Sequence, residues 1–182
     1  MKLDATRLPE LLDDLDAAVR EARAAFAVET AEWTRGPAGK WTAGQHMAHV
    51  GVVLLHTAGD FENAAAEMAA GRLGPRPWRD PLQALAIRFL TRERFPRGGR
   101  TPPIAEPGPT PSREQAFARI EQGAARHRAL AERLSPDERR RIWIWNPVVP
   151  QLRWHYTLPE MVRVHASHTR HHVRLAQEAA RS

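Results

Sequence analysis

The stretch from Thr42 to about Gly71, TAGQHMAHVGVVLLHTAGDFENAAAEMAAG, is apolar on most faces of a helix. A helix of that kind has no solvent side to spare, so other helices must surround it. Thr42 and Gln45 stand at capping-box spacing, with Trp41 as the apolar residue before the cap, which marks where it begins.

The rest of the chain supplies the partners. Leu8, Leu11, Leu12, Leu15, Val19, Ala22 and Phe26 recur at helical spacing and predict a first amphipathic helix that ends before the RGPAG break at 35–39. Residues 80–95, DPLQALAIRFLTRERF, predict a shorter helix with Leu82, Leu85, Ala86, Phe89 and Leu90 facing inward. Ser112 and Gln115 open another, with Phe117, Ile120, Ala124, His127, Ala131 and Leu134 along one stripe. RIWIWNP (141–147) reads as a short extended segment, and Thr157, Pro159 and Glu160 mark the start of the last helix. Residues 96–111 hold six prolines and three glycines, which excludes a helix or strand there. Neither flank has enough core to fold alone, so this is a long surface crossover rather than a linker. The expected fold is all-α: a four-helix bundle, one domain over 1–182, with a long crossover that contains one short extra helix.

Composition narrows the chemistry. The absence of cysteine excludes disulfides, thiolate ligands and a cysteine nucleophile, so any metal must be held by histidine or carboxylate. No apolar run is long enough to span a bilayer and the N-terminus lacks a signal-peptide core, which places the chain in the cytoplasm as an expectation. The net charge of +6 includes a local cluster of Arg88, Arg92, Arg94, Arg97 and Arg100. A solvated helix face plus a basic loop accounts for that charge. Without a helix-turn-helix or an aromatic stacking motif, nucleic-acid binding is the weakest reading.

The last helix carries the chemistry. Met161, His165, His168, His172 and Leu175 share one face, so histidines stand where leucine or isoleucine would be usual, while His171 points elsewhere. His168 and His172, at i and i+4, have the spacing that lets two imidazoles converge on one ion. His165, a turn earlier, is open to a role as third ligand or as a partner that orients one. The same residues also fit hydrogen-bonded core histidines, and an i, i+4 pair alone is a weak motif. The second helix adds His46, His49 and His56, of which His49 and His56 share a stripe with Gln45 and Asn63. His46 lies off that stripe and reads as structural. His56 is two turns past His49, about 10 Å along the axis, too far for a shared ion.

Asp60 and Glu62 are also too far along that helix to be ligands, and the capping position explains Glu160 more simply than a role as base. Trp143, Trp145, Trp154 and Tyr156 precede the last helix and either wall a pocket or close the end of the bundle.

KWTAGQHMAHV resembles the tryptophan–polar–x5–Ala–His start of the second helix in the DinB/YfiT-like metalloprotein superfamily, and LPEMVRVHASHTRHHVRLAQ resembles its last helix. The resemblance implies a divalent metal, zinc or nickel, held by His49, His168 and His172, and frequently a homodimer. His165, Gln45, His56 and Trp154 are then candidates for the surrounding pocket. Some relatives transfer a low-molecular-weight thiol such as bacillithiol or mycothiol. The expected function is therefore metal-dependent transfer of such a thiol to an electrophilic small molecule, since the metal would favour the thiolate near neutral pH. Metal-dependent hydrolysis uses the same ligands, and a non-catalytic metal-binding or basic nucleic-acid-binding bundle remains as a further alternative.

Overall fold

The computed structural model describes residues 7–27, 31–95, 101–147 and 153–182. Arg97 and Arg100 of the basic cluster, and the first part of the proline-rich stretch, lie outside them. Four long helices make the bundle: α1 (Leu8–Ala25), α2 (Ala43–Ala69), α4 (Arg113–Arg133) and α6 (Leu158–Ala180), with the shorter α3 (Pro81–Leu90) and α5 (Pro136–Arg141). A two-stranded antiparallel ladder, β1 (Trp143–Trp145) and β2 (His155–Thr157), pairs Ile144 with Tyr156. The fold is all-α apart from that small hairpin. No described helix is long and apolar enough to cross a membrane.

Local signals set most helix starts. Thr42 caps α2 and Ser112 caps α4, each in a full capping box with Gln45 or Gln115. Glu160 accepts from the Thr157 backbone N–H at 3.0 Å at the head of α6. The first helix stops at Ala25, and a 3-10 turn at Ala31–Thr34 follows it. That turn buries Trp33, whose indole donates to the Pro111 carbonyl at 2.8 Å and meets Phe26 and Phe117 edge-on and tilted.

Cross-helix contacts show how the helices run. Asp14 pairs with Arg163 and Arg170, and Glu21 pairs with Arg170, so α1 and α6 are parallel. Gly51 faces Ile120, Leu54 faces Gly123, and Glu62 pairs with Arg126, so α2 and α4 are parallel as well. His49 lies beside His168 and Thr57 beside His165, which makes α2 and α6 antiparallel. Parallel neighbours cannot be joined by a tight turn. The chain must return the length of α2, about 40 Å at 1.5 Å per residue, and residues 70–112 make that return. Gly123 lets α2 and α4 approach: a Cβ there would meet the Leu54 Cβ at 2.6 Å.

The crossover departs from expectation in two places. Within 101–111 the backbone forms one 3-10 turn, Pro103–Ala105, which proline tolerates because its N–H is not needed at a first helical position. On α3 the buried face is turned from the expected one: Ala86 and Leu90 are half-buried, with Leu90 packed against the core, but the other three expected residues are not inside. Gln83 and Ile87 are buried, whereas Leu82, Leu85 and Phe89 are exposed, as is Trp78. Gln83 can turn inward because its amide donates to the His155 carbonyl on β2. Arg79, four residues earlier, forms a two-point ion pair with the buried Glu160 and holds α3 against α6 in that orientation.

Candidate metal centre

His49 sits on the second turn of α2, and His168 and His172 project from successive turns of α6. The antiparallel contact between those helices brings one ring nitrogen of each within 4.8 Å of the other two. His49 and His172 are buried and His168 half-buried. The His49 Nδ1 lies 2.6 Å from the Ala105 carbonyl oxygen in the crossover turn. A carbonyl can only accept, so that nitrogen carries the proton and Nε2 is left with its lone pair. His49 Nε2 lies 3.2 Å from His168 Nε2. Ligand nitrogens about 2.05 Å from a tetrahedral zinc are roughly 3.3 Å apart, so that separation fits a shared ion. Two imidazoles at that distance also suit a simple hydrogen bond. A hydrogen bond, however, does not need a third ring 4.6 Å from His49 and 4.4 Å from His168, where His172 stands.

Burial sets the protonation state. Desolvation is the largest influence on all three, pushing them below the usual histidine value; His168 is lowered further by His49 and His171, and His172 by His168, His49, His46 and His171. The hydrogen bond to Ala105 opposes the shift at His49. All three are thus held as neutral imidazoles at pH 7, the form a metal requires. The donor set contains no carboxylate.

The chain as a whole matches a family model described as the DinB superfamily, over residues 4–176. It belongs to the DinB superfamily. No curated protein and no solved structure matches it. In this DinB chain the trio of His49, His168 and His172 fits a metal-binding site in both donor chemistry and spacing.

The other candidate residues are placed differently. His165 is buried, but its Nε2 lies 2.7 Å from the Thr57 hydroxyl, and its ring meets His127 edge-on at 5.0 Å. It is therefore engaged with α2 and α4, outside the converging group. Gln45 is taken up by the α2 cap and by the Gly108 carbonyl, to which its amide donates at 2.8 Å. His56 is half-exposed, 3.4 Å from Asp60 one turn on, and Asn63 on the same stripe is exposed. Glu62 pairs with Arg126 rather than facing the histidines. Trp154 is half-buried, and its carbonyl accepts from the Asn146 N–H at 2.7 Å. Trp143 and Trp145 pack against each other on β1.

Among the described residues, the apolar aromatic rings that meet the trio are Trp41 and Phe95, and the imidazole of His171 meets His172 edge-on at 5.3 Å. Trp41 lies 4.9 Å from His49 and 6.2 Å from His172, while Phe95 lies 5.4 Å from His168 and stacks on His171 at 4.9 Å. Trp41 was visible as the apolar residue before the cap and as the first residue of the family motif, but not as a wall of the site. Nothing local marked Phe95 or Ala105, because both reach the site from the crossover. His46 also approaches: its Nδ1 is 3.1 Å from His172 Nδ1.

Proposed function

We propose that this DinB chain is a cytoplasmic metal-dependent enzyme. One divalent ion, zinc or nickel, is held by His49, His168 and His172, and a low-molecular-weight thiol of the bacillithiol or mycothiol type is transferred to an electrophilic small molecule. The observation that carries the reading is the donor set, three neutral imidazoles from two helices, two of them buried and one half-buried, with no anionic ligand among them. An ion bound by neutral ligands keeps its full positive charge, which favours the deprotonated form of a thiol whose free pKa is about 8.5. The protein residues bind and orient. The Ala105 carbonyl fixes the His49 tautomer, and Trp41 and Phe95 flank the histidines with apolar rings that limit water. The absence of cysteine from the chain agrees with a thiol that arrives as cosubstrate. Hydrolysis is the second reading, because the same donor set would favour hydroxide from water. A homodimer belongs to the proposal too, supported by the exposed apolar stripe of Trp78, Leu82, Leu85 and Phe89.

The test uses untagged protein, assayed for metal content and then offered bacillithiol, mycothiol or glutathione with a generic electrophile. Wild type is expected to carry one divalent ion and to form the thioether. His168→Ala is expected to lose both metal and turnover, and His171→Ala is expected to keep the metal. Thiol-independent hydrolysis would favour the second reading, and the absence of metal-dependent turnover with all three thiols would refute the transferase.

A further inference from the structure

We infer that His46 is a positioning residue for the metal centre: its Nδ1 accepts the Nδ1 proton of His172, and so selects the tautomer in which His172 Nε2 faces the ion. The inference rests on the reading that the histidine trio holds a metal.

The evidence is the pairing of like atoms. His46 Nδ1 and His172 Nδ1 are 3.1 Å apart, a hydrogen-bond distance. A histidine that ligates a metal is neutral and carries a single ring proton, so in this contact one Nδ1 holds the proton and the other accepts it with its lone pair. If His46 donated, the single proton of His172 would sit on Nε2 and block the nitrogen that remains for coordination. If His172 donates, its Nε2 lone pair is free. Only the second arrangement is compatible with a ligand.

The arrangement repeats what the Ala105 carbonyl does for His49, where Nδ1–H also donates a hydrogen bond and leaves the Nε2 lone pair for the centre. Metal-bound histidines commonly donate their second ring N–H to an acceptor, which fixes tautomer and ring angle together. One ligand receives this support from the crossover backbone, the other from a side chain one turn before His49.

His46 is itself held. Its ring meets Trp41 edge-on at 5.4 Å, and the same indole packs against His49 and His172. Trp41 therefore serves as a common wall for the two ligands and the positioning ring. On α2, His46 and His49 are three residues apart, about 60° around the helix, so His49 points to the centre while His46 reaches the far side of His172.

The experiment measures Zn2+ affinity by competition with a chromophoric chelator, and the visible spectrum of the Co2+-loaded protein, for wild type, His46→Asn and His46→Leu. The asparagine carbonyl can occupy the place of Nδ1 and accept, whereas leucine cannot. His46→Leu is expected to weaken Zn2+ binding by about 10-fold or more and to change the Co2+ bands, and His46→Asn to stay within about threefold of wild type. Leucine is the better helix former, so a general loss of folding would run the opposite way. Helical circular dichroism on each apoprotein checks that directly. If His46→Leu binds as tightly as wild type with an unchanged Co2+ spectrum, the inference fails while the metal centre stands. Equal losses in both variants would also overturn it, since loss of packing and not of an acceptor would then be the cause. Failure of wild type to bind Zn2+ would remove the metal centre and the inference together.

Discussion

His127 offers a pH prediction whose size follows from the structure. It is fully buried on α4, donates from Nδ1 to the Gly123 carbonyl at 2.9 Å, and faces the Thr57 hydroxyl at 3.5 Å with Nε2. Burial pushes its pKa down to about 4, against an ordinary value of 6.5. Between those two values the unfolded chain binds one proton more than the folded chain. Stability is therefore full above pH 6.5, falls by about 1.4 kcal/mol per pH unit below it, and levels off near pH 4. By pH 5 this one residue should have removed about 2 kcal/mol, of a total near 3 kcal/mol. Replacing it with leucine abolishes that contribution whatever the change does to packing, because packing is independent of pH. The assay is urea unfolding of apoprotein in a chelator at pH 8, 7, 6 and 5, for wild type and His127→Leu. The stability difference between the two proteins at pH 8 is expected to move by about 2 kcal/mol in favour of the variant at pH 5. A difference that stays constant across that range would refute the buried neutral histidine.

Two further outcomes follow from packing. Gly123→Ala gains about 1 kcal/mol of helix propensity but places a methyl 2.6 Å from the Leu54 Cβ, so net destabilisation of about 1–3 kcal/mol is expected in thermal or urea unfolding. An unchanged or raised stability would show that α2 and α4 have room to move apart. For the proposed homodimer, Leu85→Glu on the exposed stripe of α3 is expected to shift sedimentation toward monomer with helicity unchanged; a wild-type monomer at micromolar concentration would remove the dimer.

What was legible in the amino-acid order was local. Capping boxes at Thr42 and Ser112, helical spacing along α1 and α4, and the i, i+4 pair His168–His172 depend on residues within a turn or two of one another, so periodicity and backbone geometry determine them. The family motifs supplied His49 as the third member of the trio that the fold brings together. The missing details all involve partners distant in sequence. The apolar residues of 80–95 allow more than one inward face, and α3 takes the one that turns Gln83 toward the His155 carbonyl, 72 residues away. A three-residue strand such as His155–Thr157 has too short a pattern to stand out, and it forms because Trp143–Trp145 lies beside it. His46 looked like a structural residue by its stripe, yet its hydrogen-bond partner stands 126 positions later on an antiparallel helix. Spacing can say which side chains share a face. Only the crossing of α2 with α6, and the path of the crossover between α2 and α4, decides which nitrogen meets which acceptor, because hydrogen bonds and coordination are sensitive to tenths of an ångström that no helical period specifies.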